Sequence, residues 1–498
     1  MSANPLRPLP DDRFDYWNAH HLLVRAGFGG TPAEVRALKD LGVAKAVASL
    51  VDYASASNDA DEPAWEPSIM RPPTPEEREV ERRARASNDE ETLARLQRER
   101  QMREGRDREQ LARAQQWWMG RFLRSGRPLE EKLTLFWHGH FATGYRTIED
   151  SWHMLAQQRL FRAQANGNFS TLVRGIVRDP AMLEYLDNDE NRRGSPNENL
   201  ARELMELFVL GEGNGYTERD IKEGARALTG YTFVDDEFVF DEAQHDPTPK
   251  EIFGTRGPFD GDAFAQLVLK QRGASEWIAL KMYRHFVNDV PGRVPDDRRE
   301  VVKALARELK KADFNLKPML TALFRSEHFY DESNRAQVIK SPVQLIAQTV
   351  RSYGTPTRSL ASLVAAADLM GQHLFQPPNV KGWEGGRAWI NTSTYFVRQN
   401  VAVYLLTGQR PRQFDWEASS DPYDATHLVR DLREAAGGDP APEDVATFLL
   451  RFSLASTPHP TRVESLAGFL RQTAGAPEND RIKGALALIT ALPEYQVA

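Results

Sequence analysis

Two glutamates three positions apart, Glu203 and Glu206, lie in the stretch SPNENLARELMELFVLG at residues 195–211. Paired carboxylates in different surroundings can hold opposite protonation states at one pH, which is what general acid and general base require. Asn197, Asn199 and Arg202 fall on the same polar side and would hold hydroxyl or anionic groups of a substrate. A second constellation is QHDPTPKEIFG, where Asp246 beside His245 would orient the imidazole and raise its basicity, and Lys250 would bind an anion. A third is LTLFWHGHF, with His138 and His140 flanking Gly139. These two are candidate ligands for a divalent metal that needs a third, from His153, Asp187, Glu203, His245 or Asp246. In PPNVKGWEGGRAWINTS, Trp383 and Trp389 stand among Asn379, Lys381, Glu384, Arg387 and Asn391. Aromatic faces flanked by amides and charges suit sugar-ring stacking or a polymer groove.

Each constellation also has a purely structural reading. The apolar side chains Leu200, Ala201, Leu204, Met205, Leu207 and Phe208 share one side of a helix, so the polar side is what any amphipathic surface helix shows. His245, Asp246 and Lys250 could simply pin a long loop, and tryptophans often fill cores.

The elements that must position these residues are mostly helical. Ser195 is the expected N-cap of the glutamate helix, with Pro196 in its first turn, Glu198 closing a capping box and Gly211 as its stop. Arg202, four residues from both Glu198 and Glu206, should pair with each. Residues 74–110 are too charged for a core and read as an exposed helical excursion. GYTFVDDEFVF predicts one small hairpin at about 231–240, and the Pro- and Gly-rich residues after it an irregular loop. The expected fold class is mainly α: a helical domain over residues 1–410 carrying the excursion and the hairpin, with a helical C-terminal unit at 411–498 packed on it.

Composition removes several functions. The net charge of -7 argues against general nucleic-acid binding, which draws on clustered Lys and Arg. With no cysteine, disulfides, thiolate ligands and a cysteine nucleophile are excluded. There is no Gly-x-Ser-x-Gly elbow, phosphate loop or dinucleotide fingerprint. No apolar run is long enough for a signal-peptide core or a membrane span, so a cytoplasmic location is the expectation.

Five long segments carry a resemblance: NENLARELMELFVLGEGNGYTERDIKEGARALTGYTF, KLTLFWHGHFATG, HDPTPKEIFG, KSPVQLIAQTVRSYG and LFQPPNVKGWEGGRAWINTST. From about Ala19 to about Val403 the chain closely resembles the bacterial domain-of-unknown-function family numbered eighteen hundred. The resemblance implies a mostly helical fold and no settled reaction. Many relatives look secreted and lie beside genes for sulfatase-like proteins, which this chain departs from in lacking an export signal. Asn197, Asn199, Arg202, Glu203 and Glu206 match the family's residue types, which favours a lined cleft over a solvated face.

Two functions follow as expectations. One is a hydrolase or lyase on a carbohydrate or other polar polymer, with Glu203, Glu206, His245 and Asp246 in acid/base work and the tryptophan loop gripping substrate. The other is a non-catalytic binding or assembly protein partnered with a sulfatase-like protein.

Overall fold

Thr74 accepts a hydrogen bond from the Glu77 amide while Glu77 reaches back to the Thr74 amide, and with Pro75 in the first turn this capping box starts the helix Pro75–Ser87. Asn88 ends it in the left-handed conformation, and Asp89 caps the next helix, Glu90–Arg124. The structure is a computed structural model that describes residues 4–57, 62–289, 292, 294–454 and 456–498. Over its first half the long helix carries surface ion pairs such as Arg95–Glu99 and Arg100–Glu104, worth a few tenths of a kcal/mol each, roughly. From Asp107 onward it turns inward and buries Leu111, Ala114, Trp118, Met119 and Phe122. The charged excursion is thus helix Pro75–Ser87 together with the outer half of a core helix.

The body is mainly helical, with helices packed around a continuous apolar core that runs from Leu9 to Tyr495 and includes Trp118, Trp137, Phe141, Phe161 and Phe208. At its centre the fully buried Glu131 receives Arg121 Nε at 2.6 Å, Arg162 Nη2 at 3.1 Å and Trp118 Nε1 at 3.1 Å. Residues 411–498 add the helices Pro442–Leu454, Pro460–Gln472 and Glu478–Thr490, whose Leu449, Leu450, Leu486 and Ile489 enter the same core. The last residue, Ala498, exchanges backbone hydrogen bonds with Val338 and accepts one from Arg25 Nη1.

Strands form two antiparallel hairpins among the described residues. In the expected one, β1 (Tyr231–Val234) pairs with β2 (Glu237–Phe240) around the turn Asp235–Asp236, with Asp235 left-handed at φ 52°. The second, β3 (Lys250–Ile252) with β4 (Thr255–Gly257), lies where an irregular loop was expected. Its turn is Phe253–Gly254, both at positive φ, the geometry that Asn-Gly usually signals.

The glutamate helix also departs from expectation. It begins at Asn199, not after Ser195, because Asn197 Oδ1 accepts the Asn199 amide and the Asn197 amide is held by Asn191 Oδ1. After Glu203 it widens into a π-helix over Leu204–Val209, and Gly211 at φ 86° stops it. No helix among the described residues is long and apolar enough to cross a membrane.

Candidate functional site

The π-helical segment carries Glu206 and adjoins Glu203, and such segments recur at functional sites because they re-aim side chains within a helix. Its terminal carbonyls are captured by side chains: Trp277 Nε1 donates to Leu207 O at 2.9 Å, His140 Nε2 to Phe208 O at 2.9 Å and Asn214 Nδ2 to Leu210 O at 3.0 Å. Arg202 binds Glu218 in two-pronged fashion at 2.9 Å, Glu198 at 2.9 Å and Glu206 at 3.4 Å. Burial, then the charge of Glu206, pushes the Glu203 carboxyl above its ordinary range, against the opposing pull of Lys381 and Arg202. Tyr185, itself raised by burial, feels the Glu203 charge, and Tyr216 lies against Glu206. The result is a carboxyl raised above its ordinary range beside a second glutamate paired with an arginine.

The tryptophan loop forms the neighbouring wall. Lys381 pairs with Glu212 at 2.8 Å, near enough to Glu203 and Glu206 to be raised by their charges after that pairing. Trp383 is half-buried against His138, with ring centroids 5.5 Å apart, and its Nε1 has no hydrogen-bond partner among the described residues. Trp389 belongs to the buried side of the loop. Arg387 is exposed, and Asn391 caps the helix Thr392–Thr407 through its side chain. Asn199 Nδ2 binds Asp187 Oδ2 at 3.2 Å, and Asn197 Nδ2 binds the Asp187 carbonyl at 3.3 Å.

His138 and His140 face different neighbours. His138 Nε2 accepts the Phe375 amide at 3.1 Å and so anchors the start of the tryptophan loop, while His140 anchors the π-helix. Burial lowers both imidazoles to about 3, leaving them neutral. Positions two apart on a helix point to nearly opposite sides, so these rings do not converge on one ion.

His245, Asp246 and Lys250 do gather, but on helix Glu218–Ala227 at the end away from Arg202. His245 Nδ1 donates to Thr229 O at 2.8 Å, and Lys250 Nζ, fully buried, donates to the carbonyls of Asp246 and Thr248. Arg226 Nε meets Asp246 at 2.7 Å, and against the cost of burial this contact and Thr248 hold the Asp246 carboxyl well below the usual range. Arg202 engages Glu218 at the start of that helix and Asp246 engages Arg226 near its end, about 12 Å apart along the axis. Among the described residues no hydrogen bond or ion pair joins the two groups, so His245 and Asp246, expected to share acid/base work with Glu203 and Glu206, stand with Lys250 in a separate centre.

A third centre joins His153, one of the candidate third ligands, to Asp150 and Asp236, which the sequence reading left out. Asp150, His153 and Asp236 bring their potential ligand atoms within 4.8 Å of one another. Burial disfavours the charged imidazole, yet Glu184, Asp150 and Asp236 push His153 up to about 9. The available signal was the spacing Asp-x-x-His at the start of helix Ser151–Ala163, with Asp236 supplied by the hairpin turn. Nearby, a cleft of about 470 Å³ opens beside the long helix, lined in part by Arg108, Gln115, Tyr145, Glu149 and Gln376. Gly144 lies close to Gln376, which lines this cleft, and to Tyr185.

Compared with known proteins, the chain matches no curated protein and no solved structure. The model of one family matches residues 21–497, beyond the span of the five quoted segments and through the C-terminal helices. The chain therefore belongs to the family described as "Protein of unknown function (DUF1800)".

Proposed function

We propose that the chain is an acid/base enzyme, a hydrolase or lyase acting on a carbohydrate or other polar polymer, with Glu203 as general acid and Glu206, paired with Arg202, as its partner. One observation carries this reading. Glu203, half-buried and raised, sits three positions from a glutamate that Arg202 holds at 3.4 Å, at a π-helical turn. Lys381, Arg387 and the half-buried Trp383 supply charge and an aromatic face along the adjoining loop, an open arrangement suited to an extended substrate. His245 and Asp246, engaged elsewhere, act in this reading as supports of the 241–250 loop. The test is a panel of polysaccharides and esters given to wild type and to Glu203→Gln. Turnover by wild type that the variant loses supports the reading.

The alternative is a binding or assembly protein, with the sulfatase-like partner that the family resemblance implies. Exposed Phe396 and Val403 favour it, one face of helix Thr392–Thr407 beside exposed Leu488 on the adjoining helix Glu478–Thr490. Stoichiometric capture of one such protein, lost on Phe396→Glu, together with an inert substrate panel, would favour this alternative.

A further inference from the structure

We propose that Asp150, His153 and Asp236 form a site for a divalent transition ion of the Mn²⁺ or Zn²⁺ class, tying the β1–β2 turn to the start of helix Ser151–Ala163. The ligand atoms lie within 4.8 Å of one another, a span that small side-chain rotations close around an ion bonded at about 2 Å. Each carboxylate is already oriented through one oxygen. Asp150 Oδ1 accepts the amides of Trp152 and His153 at 2.8 and 3.1 Å. Asp236 Oδ2 accepts the Ser68 hydroxyl at 2.7 Å, and its Oδ1 stands 3.3 Å from His153 Nε2. Outer contacts of this kind are what hold metal ligands in position.

The imidazole supplies an independent sign. His153 is only 4% exposed, its Nε2 can donate to the Asp235 carbonyl at 3.3 Å, and its Nδ1 has no hydrogen-bond partner among the described residues. Glu184 Oε2 lies 3.6 Å from Nδ1, beyond a normal hydrogen bond, and adds negative charge at that edge of the ring. Three carboxylates around one imidazole leave a negative surplus that a dication offsets. One nitrogen among oxygens points away from Ca²⁺, which takes six to eight oxygens, and toward a borderline ion. The ion would fasten the hairpin, and through Ser68 the segment leading to the excursion, onto the helical body. None of these residues belongs to the Glu203–Glu206 pair, so this site stands or falls apart from the proposed reaction.

The test uses the full chain, stripped with chelator and titrated with Mn²⁺, Zn²⁺ and Ca²⁺ by calorimetry, with bound metal counted by elemental mass spectrometry. Asp236→Asn and Asp150→Asn keep the acceptor oxygens of the turn and the helix cap, and His153→Gln removes the nitrogen ligand. Circular dichroism checks that each variant folds. Expected is one Mn²⁺ or Zn²⁺ per wild-type chain and affinity on the order of tenfold or more weaker in Asp236→Asn and His153→Gln. A metal-dependent rise in thermal midpoint should appear in wild type and be lost in both. Absence of stoichiometric uptake, or equal uptake by wild type and both variants, would overturn the site. So would a His153→Gln variant that loses the same stability with and without metal, which would make the cluster an internal ion pair.

Discussion

Gly382 lies directly on the carbonyl oxygen of Gly139: a Cβ at position 382 would overlap that oxygen, and its φ of 77° is one that side chains rarely adopt. This contact docks the tryptophan loop on the end of helix Pro128–His140. It places Trp383 over Gly139 and Lys381 beside the glutamates. Gly382→Ala should therefore destabilise the chain by about 2–4 kcal/mol, through backbone strain and collision together. Urea unfolding measures it, and a loss under about 0.5 kcal/mol, the range of ordinary surface substitutions, would show that the loop docks by other means.

Glu131 is fully buried against Arg121, Arg162 and Trp118. Removing one partner of a buried ion pair leaves charge without compensation, so Glu131→Ala should lower stability by about 3–5 kcal/mol. The surface pair Arg95–Glu99 is the control, with Glu99→Ala expected to change stability by under about 0.5 kcal/mol. Comparable losses in the two variants would contradict the assignment of Glu131 to the centre of the core.

Asp179 is buried, accepts hydrogen bonds from Gln157 Nε2 and the Met182 amide, and is raised by burial from 3.8 to about 6. The folded chain then holds a proton that the unfolded chain has released between about pH 4 and 6. Its contribution to stability falls as pH rises through that window and levels off above it. Asp179→Asn keeps the acceptor oxygen and removes the ionisation, so relative to wild type it should gain on the order of 2 kcal/mol between pH 4 and pH 7. Denaturation midpoints across that range check the sign, and a wild-type-minus-variant difference that stays flat would contradict the shift.

Much of the frame was legible because local chemistry decided it. The helical excursion over residues 74–110, the hairpin around Asp235–Asp236 and the pairs of Arg202 with Glu198 and Glu206 all stand as residue types and spacing implied. The π-segment was not legible, since over six residues an i→i+5 ladder and an α-helix bury much the same apolar pattern. The β3–β4 hairpin was missed because three-residue strands are too short for periodicity and Phe253–Gly254 is not a usual turn pair. The late start at Asn199 depends on Asn191, a tertiary contact that no capping rule contains. The separation of His245 from Glu203, and the meeting of His153 with Asp236, are likewise products of packing between elements distant in sequence.

The central claim is that Glu203 delivers a proton to a polar polymer with Glu206, held by Arg202, beside it. Its most direct test is the pH–rate profile of wild type, Glu203→Gln and Lys381→Met on whichever polysaccharide or ester the wild type turns over. Glu203→Gln should lower kcat/KM by about 10²–10⁴-fold with an unchanged unfolding midpoint. Lys381→Met, which removes a cation that now pulls the Glu203 carboxyl down, should shift the basic limb to higher pH. A wild type that turns over none of the panel, or a Glu203→Gln variant with full activity and the wild-type profile, would contradict the account.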